Sequence, residues 1–245
     1  LTMYLSPWRT ARVFNCVVLS PVLGSVTAKQ DLSRPSMIGG SMRAARGRGD
    51  SLHVVSGHLC VLGDFAWDVL IRTNTELLRG GDTFGEVMLT PGGSAANVAV
   101  WASRAGTPTH FIGKIGRDNF GVLAQEDLDR ERVEAHFVEA DGHLTGSVAV
   151  FVDHTGERSM VSGHGADFYL LPQELPRDVV RTARHLHLTA WSFFVDPPRA
   201  AARAAAALAR AAGVTLSLDP GSFQMIAEMG VGQFLAVTQD LGIDI

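Results

Sequence analysis

The chain has 245 residues, of which 46% are hydrophobic and 19% are charged, so it is long enough to bury one large core or two small ones. Its formal net charge of −4 is unevenly distributed along the chain, because residues 1–52 carry +5 and the remainder carries −9. A body this acidic has no general attraction for nucleic-acid phosphates, and we expect no nucleic-acid partner.

The amino-terminal stretch has no sustained helical or strand period and ends in RAARGRGD. We therefore predict that residues 1–56 are a disordered or non-native extension outside the fold. Its apolar run VFNCVVLSPVL resembles a signal-peptide core, but Asn15 and Pro21 interrupt it, and it is too short to span a bilayer. Cys16 and Cys60 form no CxxC pair, which favours a reducing, cytoplasmic location without a membrane partner.

Three extended segments are predicted before the first helix. HLCVLGD is an apolar run that predicts a buried strand and its turn. WDVLIRT alternates polar and apolar residues, and GGDTFGEVMLTPGG is a further extended segment between glycine turns. A helix follows the pair Gly92-Gly93, with apolar residues at helical spacing from Val98 to Ala105 and Ser94 as the expected N-cap.

The remaining segments alternate between strands and helices. THFIGKIG predicts a buried strand, and Asp118 is expected to cap a helix from Asn119 to about Arg130. A β-hairpin is predicted around Asp153–Gly156, then the strand HLHLTAW, an alanine-rich helix from Pro197, and the strand VTLSLDP. This alternation predicts a mostly parallel sheet with both faces covered. Two extended regions do not fit this alternation and predict an added β-layer: residues 66–91 and 146–162.

Several catalytic motifs are missing from the sequence. It contains no GxxxxGK[ST] phosphate loop, and no GxGxxG opens a helix after the first strand. It also lacks HExxH, GxSxG and a clustered set of Cys and His ligands. His185 and His187 share a strand face, where packing is the expected role. No metal site is predicted in this chain.

One set of motifs points to a family. Gly92-Gly93 is followed four residues later by Asn97, then by a helix of small residues and by the run Gly113-Lys-Ile-Gly116-Arg-Asp118-Asn-Phe-Gly121. With Asp68 on the preceding strand, this set resembles the ribokinase-like (PfkB) family of carbohydrate and nucleoside kinases over about residues 59–245. The resemblance implies a doubly wound α/β domain over residues 57–245, with a small β-sheet lid and a sugar bound between them.

The resemblance also implies roles for individual residues. Asp68 is expected to accept hydrogen bonds from sugar hydroxyls, and Gly92 and Gly93 are expected to let the backbone approach the substrate closely. Asn97 offers both a donor and an acceptor near the helix start. Weaker candidates are Ser94, which the N-cap role explains equally well, the lid residue Arg158, and Asp219 at a strand end. His164, in GHG, has no assignable role.

The sequence departs from the family at its carboxyl end. The second family signature, Asp-Thr-x-Gly-Ala-Gly-Asp, does not occur in these residues. We therefore expect the general base, the sites for ATP and Mg²⁺ and the carboxyl-terminal part of the domain beyond Ile245, and the chain as given to be inactive. A sugar kinase, a nucleoside kinase and a non-catalytic sugar- or nucleoside-binding module remain open. The resemblance also leaves open a homodimer formed through the lid and does not identify the substrate.

Overall fold

Nine strands and six α-helices make up the described residues, 57–245 of a computed structural model; the predicted extension over residues 1–56 lies outside them. In chain order they are β1 (Leu59–Leu62), β2 (Ala66–Thr73), β3 (Gly85–Gly92), α1 (Ser94–Arg104), β4 (Thr109–Gly116), α2 (Asn119–Arg130), β5 (Glu134–Ala140), β6 (Gly146–Val152), β7 (Arg158–Ser162), α3 (Arg177–Thr182), β8 (His185–Thr189), α4 (Pro198–Ala211), β9 (Thr215–Asp219), α5 (Phe223–Met229) and α6 (Val231–Thr238). Four 3₁₀ helices, Ala166–Tyr169, Pro172–Glu174, Ala190–Phe193 and Gln239–Leu241, complete the description.

The main sheet has five parallel strands in the order β5-β4-β1-β8-β9. The chain runs outward from β1 to β4 and β5, and then returns to the other side of β1 to form β8 and β9. The order therefore reverses between β1 and β8. In open α/β sheets, ligands bind at the carboxyl ends of the strands beside such a reversal.

Helices cover both faces of the main sheet, which confirms the doubly wound α/β fold. Leu62 packs into a core cluster with α4, whose buried alanines are Ala201, Ala202, Ala205, Ala206 and Ala209. Its neighbour Val61 points to the other face, where it packs against α1 and α2. The helix α4 begins at Pro198, one residue later than predicted. No helix within residues 57–245 combines the length and the hydropathy that crossing a membrane requires.

A second, four-stranded sheet has the order β3-β2-β6-β7 and confirms the predicted added β-layer. β2 pairs with β3 and β6 pairs with β7 in antiparallel fashion, whereas β2 and β6 are parallel. The sheet is therefore two hairpins placed side by side. The predicted turn at Asp153–Gly156 joins β6 to β7, with the amide of Gly156 donating to the carbonyl of Asp153.

The Gly-x-x-Gly-x-Asp-x-x-Gly run forms the junction between the two sheets. As predicted, Asp118 caps α2 by accepting a hydrogen bond from the amide of Gly121 at 2.8 Å. It also accepts from the amide and the hydroxyl of Thr145, the residue before β6. Burial opposes ionisation of Asp118, but these hydrogen bonds outweigh it and lower its pKa. Gly121 cannot carry a Cβ, because that atom would collide with the carbonyl of Gly116.

Candidate functional site

A pocket lies at the carboxyl ends of β1 and β8, where the strand order reverses. Gly63 and Asp64 follow β1 and form one wall, and Trp191 and Ser192 follow β8 and form another. The 3₁₀ helix Ala166–Tyr169 supplies Asp167 and Phe168, and the remaining lining residues are Leu170 and Pro198. The topology of the parallel sheet therefore places two carboxylates at the position where this class of fold binds ligands.

Asp64 fixes the start of α1. Its carboxylate accepts hydrogen bonds from the amides of Ser94 at 2.6 Å and Ala95 at 3.2 Å, and it is buried. The hydrogen bonds act to lower the pKa of Asp64, but burial outweighs them and the pKa is raised. The prediction that Ser94 caps this helix is wrong, because Gly93 occupies the N-cap position and no side chain of that residue can cap. Ser94 is the first helical residue and is exposed.

A row of small residues crosses the second sheet beside the pocket. Ala66 of β2 pairs with Gly92 of β3 on one side and with Gly146 of β6 on the other, so all three face the same way. A Cβ on Gly92 would lie 2.6 Å from the Asp68 carboxylate, and one on Gly146 would lie 3.0 Å from Oδ1 of Asp167. We call this row the glycine row; it leaves room for both carboxylates on one face of the sheet.

Asp167 is the carboxylate with spare hydrogen-bonding capacity. Its Oδ2 accepts from the indole N–H of Trp191 at 3.3 Å, whereas its buried Oδ1 has no hydrogen-bond partner in the part of the chain that the structure describes. Burial, and then the nearby charge of Asp64, raise the pKa of Asp167 to about 7. Its unpartnered oxygen lies beside the glycine row, at the position where a ligand hydroxyl could donate to it.

Gly93 and Asn97 lie one helical turn apart at the start of α1. Gly93 has a φ of 97°, and a Cβ there would lie 2.6 Å from the carbonyl oxygen of Asp64. Protein atoms therefore lie where a Cβ of Gly92 or Gly93 would be, which is a reason for glycine at both positions besides the predicted approach of a substrate. The amide of Asn97 donates to the carbonyl of Gly93, and within residues 57–245 no group hydrogen-bonds its side chain.

The weaker candidates Arg158 and Asp219 lie away from the residues described around the pocket. Arg158 pairs with Val152 of β6, whereas Asp68 pairs with Val148 of the same strand. Arg158 therefore lies four residues, or about 13 Å, from Asp68 along the strand direction. Asp219 ends β9, at the edge of the main sheet, and accepts from the amide of Gly221 at 2.9 Å. His164 stacks on the pocket residue Phe168, with ring centroids 4.4 Å apart.

The site is suited to a ligand rich in hydroxyl groups. Ionised carboxylates only accept hydrogen bonds, and a hydroxyl is a donor that carries no charge. A nucleotide phosphate does not fit, because the first N–H groups of α1 already bond Asp64 and the surrounding carboxylates repel an anion. A Mg²⁺ cage does not fit either, since the acidic groups of the pocket do not form a three-ligand cluster in the described residues.

Sequence reasoning missed Asp64 and Asp167. Asp64 directly follows the first buried strand, and an acidic residue at that place in an α/β fold is a recognisable signal. Asp167 carries no such signal, because it lies in the stretch HGADFY, which shows neither the hydrophobic period of a helix nor that of a strand. Only its contacts with Gly146 and Trp191 identify it.

Comparisons with known proteins identify a family. Residues 57–230 match the profile of the pfkB family carbohydrate kinases. The chain is 32% identical over 169 residues to a fructokinase of Klebsiella pneumoniae, covering 68% of this chain and 51% of that protein. It is 34% identical over 163 residues to a fructokinase of Salmonella typhimurium, covering 65% of this chain and 49% of that protein. The chain thus spans about half the length of these relatives.

Solved structures show the same fold. A fructokinase from Xylella fastidiosa superposes with a TM-score of 0.66 and 22% identity, over 76% of this chain and 60% of that one. An adenosine kinase from Sinorhizobium meliloti gives a TM-score of 0.66 and 23% identity, over 77% of this chain and 63% of that one. Since the family profile matches well over half of the residues, the chain belongs to the pfkB family of carbohydrate kinases.

Proposed function

We propose that this protein is an ATP-dependent sugar kinase whose acceptor is fructose. The observation that carries the proposal is the pair Asp68 and Asp167 on one face of the glycine row, beside the pocket at the strand-order reversal. The relatives described above are named fructokinases, which favours fructose among the sugars that the sequence left open.

The carboxylates bind and orient the acceptor sugar in this proposal. A hydrogen bond from a sugar hydroxyl to an ionised carboxylate contributes about 1.5–3 kcal/mol, roughly twice a neutral one. Asp68 accepts one, the free oxygen of Asp167 accepts another when that carboxyl is ionised, and the side-chain amide of Asn97 adds a donor and an acceptor. Together they fix the orientation of a polyol, which is the main contribution a protein makes to phosphoryl transfer.

The described residues account for the acceptor side of the reaction only. ATP supplies the phosphoryl group, and Mg²⁺ neutralises its charge, as in other kinases. Since the pocket fits neither a phosphate nor Mg²⁺, we assign no residue of this chain to them. The catalytic base, the use of Mg²⁺ and a cytoplasmic location belong to the same proposal on the strength of the family alone.

A binding panel tests the acceptor. We expect calorimetry on the 245-residue chain to show fructose binding at least about tenfold more tightly than ribose or adenosine. Fructose-dependent release of ADP from Mg-ATP in the same preparation would demonstrate kinase activity. Because the described residues account for the acceptor side only, sugar binding without ADP release is the result expected of this chain, whereas a preference for adenosine would contradict the choice of a sugar.

We also propose that a second copy of the chain packs on the outer face of the second sheet. The row Leu89, Val69, Ala149 and Val161 is apolar and faces away from Asp68. Leu89 is 45% exposed and Val161 is 65% exposed, so this row presents apolar side chains to solvent.

Val161→Lys is expected to shift the chain toward monomer in sedimentation at micromolar concentration, because it buries a charge in the proposed interface. Val122→Lys, at an exposed valine of α2, is the matched control and leaves the assembly unchanged. A wild-type chain that sediments as a monomer would rule out this interface.

A further inference from the structure

A cluster of imidazole and carboxylate groups lies at the amino ends of the parallel strands, on the edge of the main sheet opposite the pocket. His110 is the second residue of β4, and Glu134 and His136 are the first and third residues of β5. Because His110 pairs with Glu134 and Ile112 pairs with His136, the three side chains share one face. His110 is six residues, or about 20 Å, from the carboxyl end of β4, so this cluster is separate from the pocket.

The donor atoms of these residues already lie close together. Nδ1 of His110 is 2.9 Å from Nε2 of His136. Oxygens of Glu134 lie 3.6 Å from Nε2 of His110 and 3.5 Å from Nε2 of His136. One ligand atom from each residue lies within 4.8 Å of the other two. The sequence shows no such cluster, because strand pairing brings together residues that are far apart in the chain.

Because a histidine gives one ring nitrogen to an ion, the separations that matter are those among single atoms of the three residues, all within 4.8 Å. Two atoms that bind one Zn²⁺ in a tetrahedron, each at about 2.0–2.1 Å, are roughly 3.3 Å apart. Small side-chain rotations would bring the three groups to that spacing. The ion would replace the hydrogen bond between the two histidines and would offset the negative charge of Glu134.

The surroundings hold the histidines and leave the carboxylate accessible. The side chains of His110 and His136 are only 20% and 24% exposed, whereas that of Glu134 is 64% exposed and gives an ion a path from solvent. The ring of His58 packs on His110, and its Nε2 donates to the carbonyl of Val179.

We propose that His110, Glu134 and His136 form a binding site for a divalent transition-metal ion of the zinc type. Two imidazoles and one carboxylate are a donor set that suits Zn²⁺, and the fourth position is left to water. The ion joins the edge strand β5 to β4 at their amino ends. Because an ion that binds the folded state selectively stabilises it, binding raises the thermal midpoint.

Titration of the 245-residue chain with Zn²⁺, after treatment with a chelator, tests the site. We expect one ion per chain by calorimetry, a higher thermal midpoint, and the visible absorption of four-coordinate Co²⁺ when Co²⁺ is the probe. The double variant His110→Ala/His136→Ala is expected to lose all three signals. His154→Ala, at an exposed histidine of the β6–β7 turn, is the matched control and retains them.

A milder variant separates loss of ligation from loss of folding. Glu134→Gln keeps an exposed side chain of the same size, so its midpoint without metal is expected to match the wild type, while its Zn²⁺ affinity falls at least about tenfold. The proposal is overturned if the wild type shows no saturable binding at one ion per chain, or if the affinity of Glu134→Gln equals that of the wild type.

Discussion

Asp68→Ala is expected to weaken fructose binding roughly ten- to hundred-fold. The substitution removes the carboxylate that lies against Gly92, and with it at least one charge-assisted hydrogen bond of about 1.5–3 kcal/mol. The fold should persist, because Asp68 lies on the half-buried surface of β2 and the hydrogen-bonded ladder with β3 and β6 does not use its side chain. Calorimetry with fructose measures the loss.

Two further variants show whether the charge itself binds the sugar. Asp68→Asn keeps an acceptor oxygen but loses the charge, so its affinity is expected to lie between those of the wild type and Asp68→Ala. Arg158→Ala changes a residue of the same sheet that lies about 13 Å along the strands, and it should bind fructose normally. Unchanged affinity in Asp68→Ala, with an intact thermal midpoint, would remove Asp68 from the site.

Asp167→Asn is expected to flatten the dependence of folding stability on pH. An aspartate in the unfolded chain has a pKa of about 3.9, whereas burial and Asp64 raise the pKa of Asp167 to about 7 in the fold. Between these values the folded state holds a proton that the unfolded state has lost. The stabilising contribution is therefore complete at low pH and is lost as pH rises through 7, by up to about 1.4 kcal/mol per pH unit.

Urea unfolding between pH 5 and pH 8 checks this prediction. Asparagine has nearly the same shape and can still accept from Trp191, so the variant should gain stability over the wild type as pH rises. Asp82→Asn, at an exposed carboxyl, is the control and should follow the wild-type profile. Parallel profiles for the wild type and Asp167→Asn would show that Asp167 titrates normally.

Local features of the fold could be predicted from the sequence, and contacts between distant segments could not. The helix from Asn119 to Arg130 and its cap, Asp118, depend on neighbouring residues, and both are confirmed. The expected cap of α1 is wrong because the carboxylate that bonds its first amides belongs to Asp64, thirty residues earlier. That contact depends on the packing of β1 beside α1.

The same limit applies to the candidate site. The motif with Gly92, Gly93 and Asn97 could be recognised because its residues are close in sequence. Asp167 could not, because its role depends on the pairing of β6 with β2, which places Gly146 beside it. A second reason for the glycines also needed the structure, which shows that Asp68 and Asp64 occupy the space that a side chain would take.

The glycine row also determines how the second sheet can move. The chain crosses between the two sheets near this row: Gly93 follows Gly92, Gly146 belongs to the row, and Gly165 approaches Gly146 closely. We expect the row to act as a rotation axis. For a rotation of about 20°, Asp68, two residues from the axis, moves roughly 2 Å, whereas Thr73 at the strand tip moves roughly 8 Å. The carboxylate of Asp68, which we propose binds the sugar, is therefore expected to stay nearly stationary while the far end of the sheet moves over the pocket.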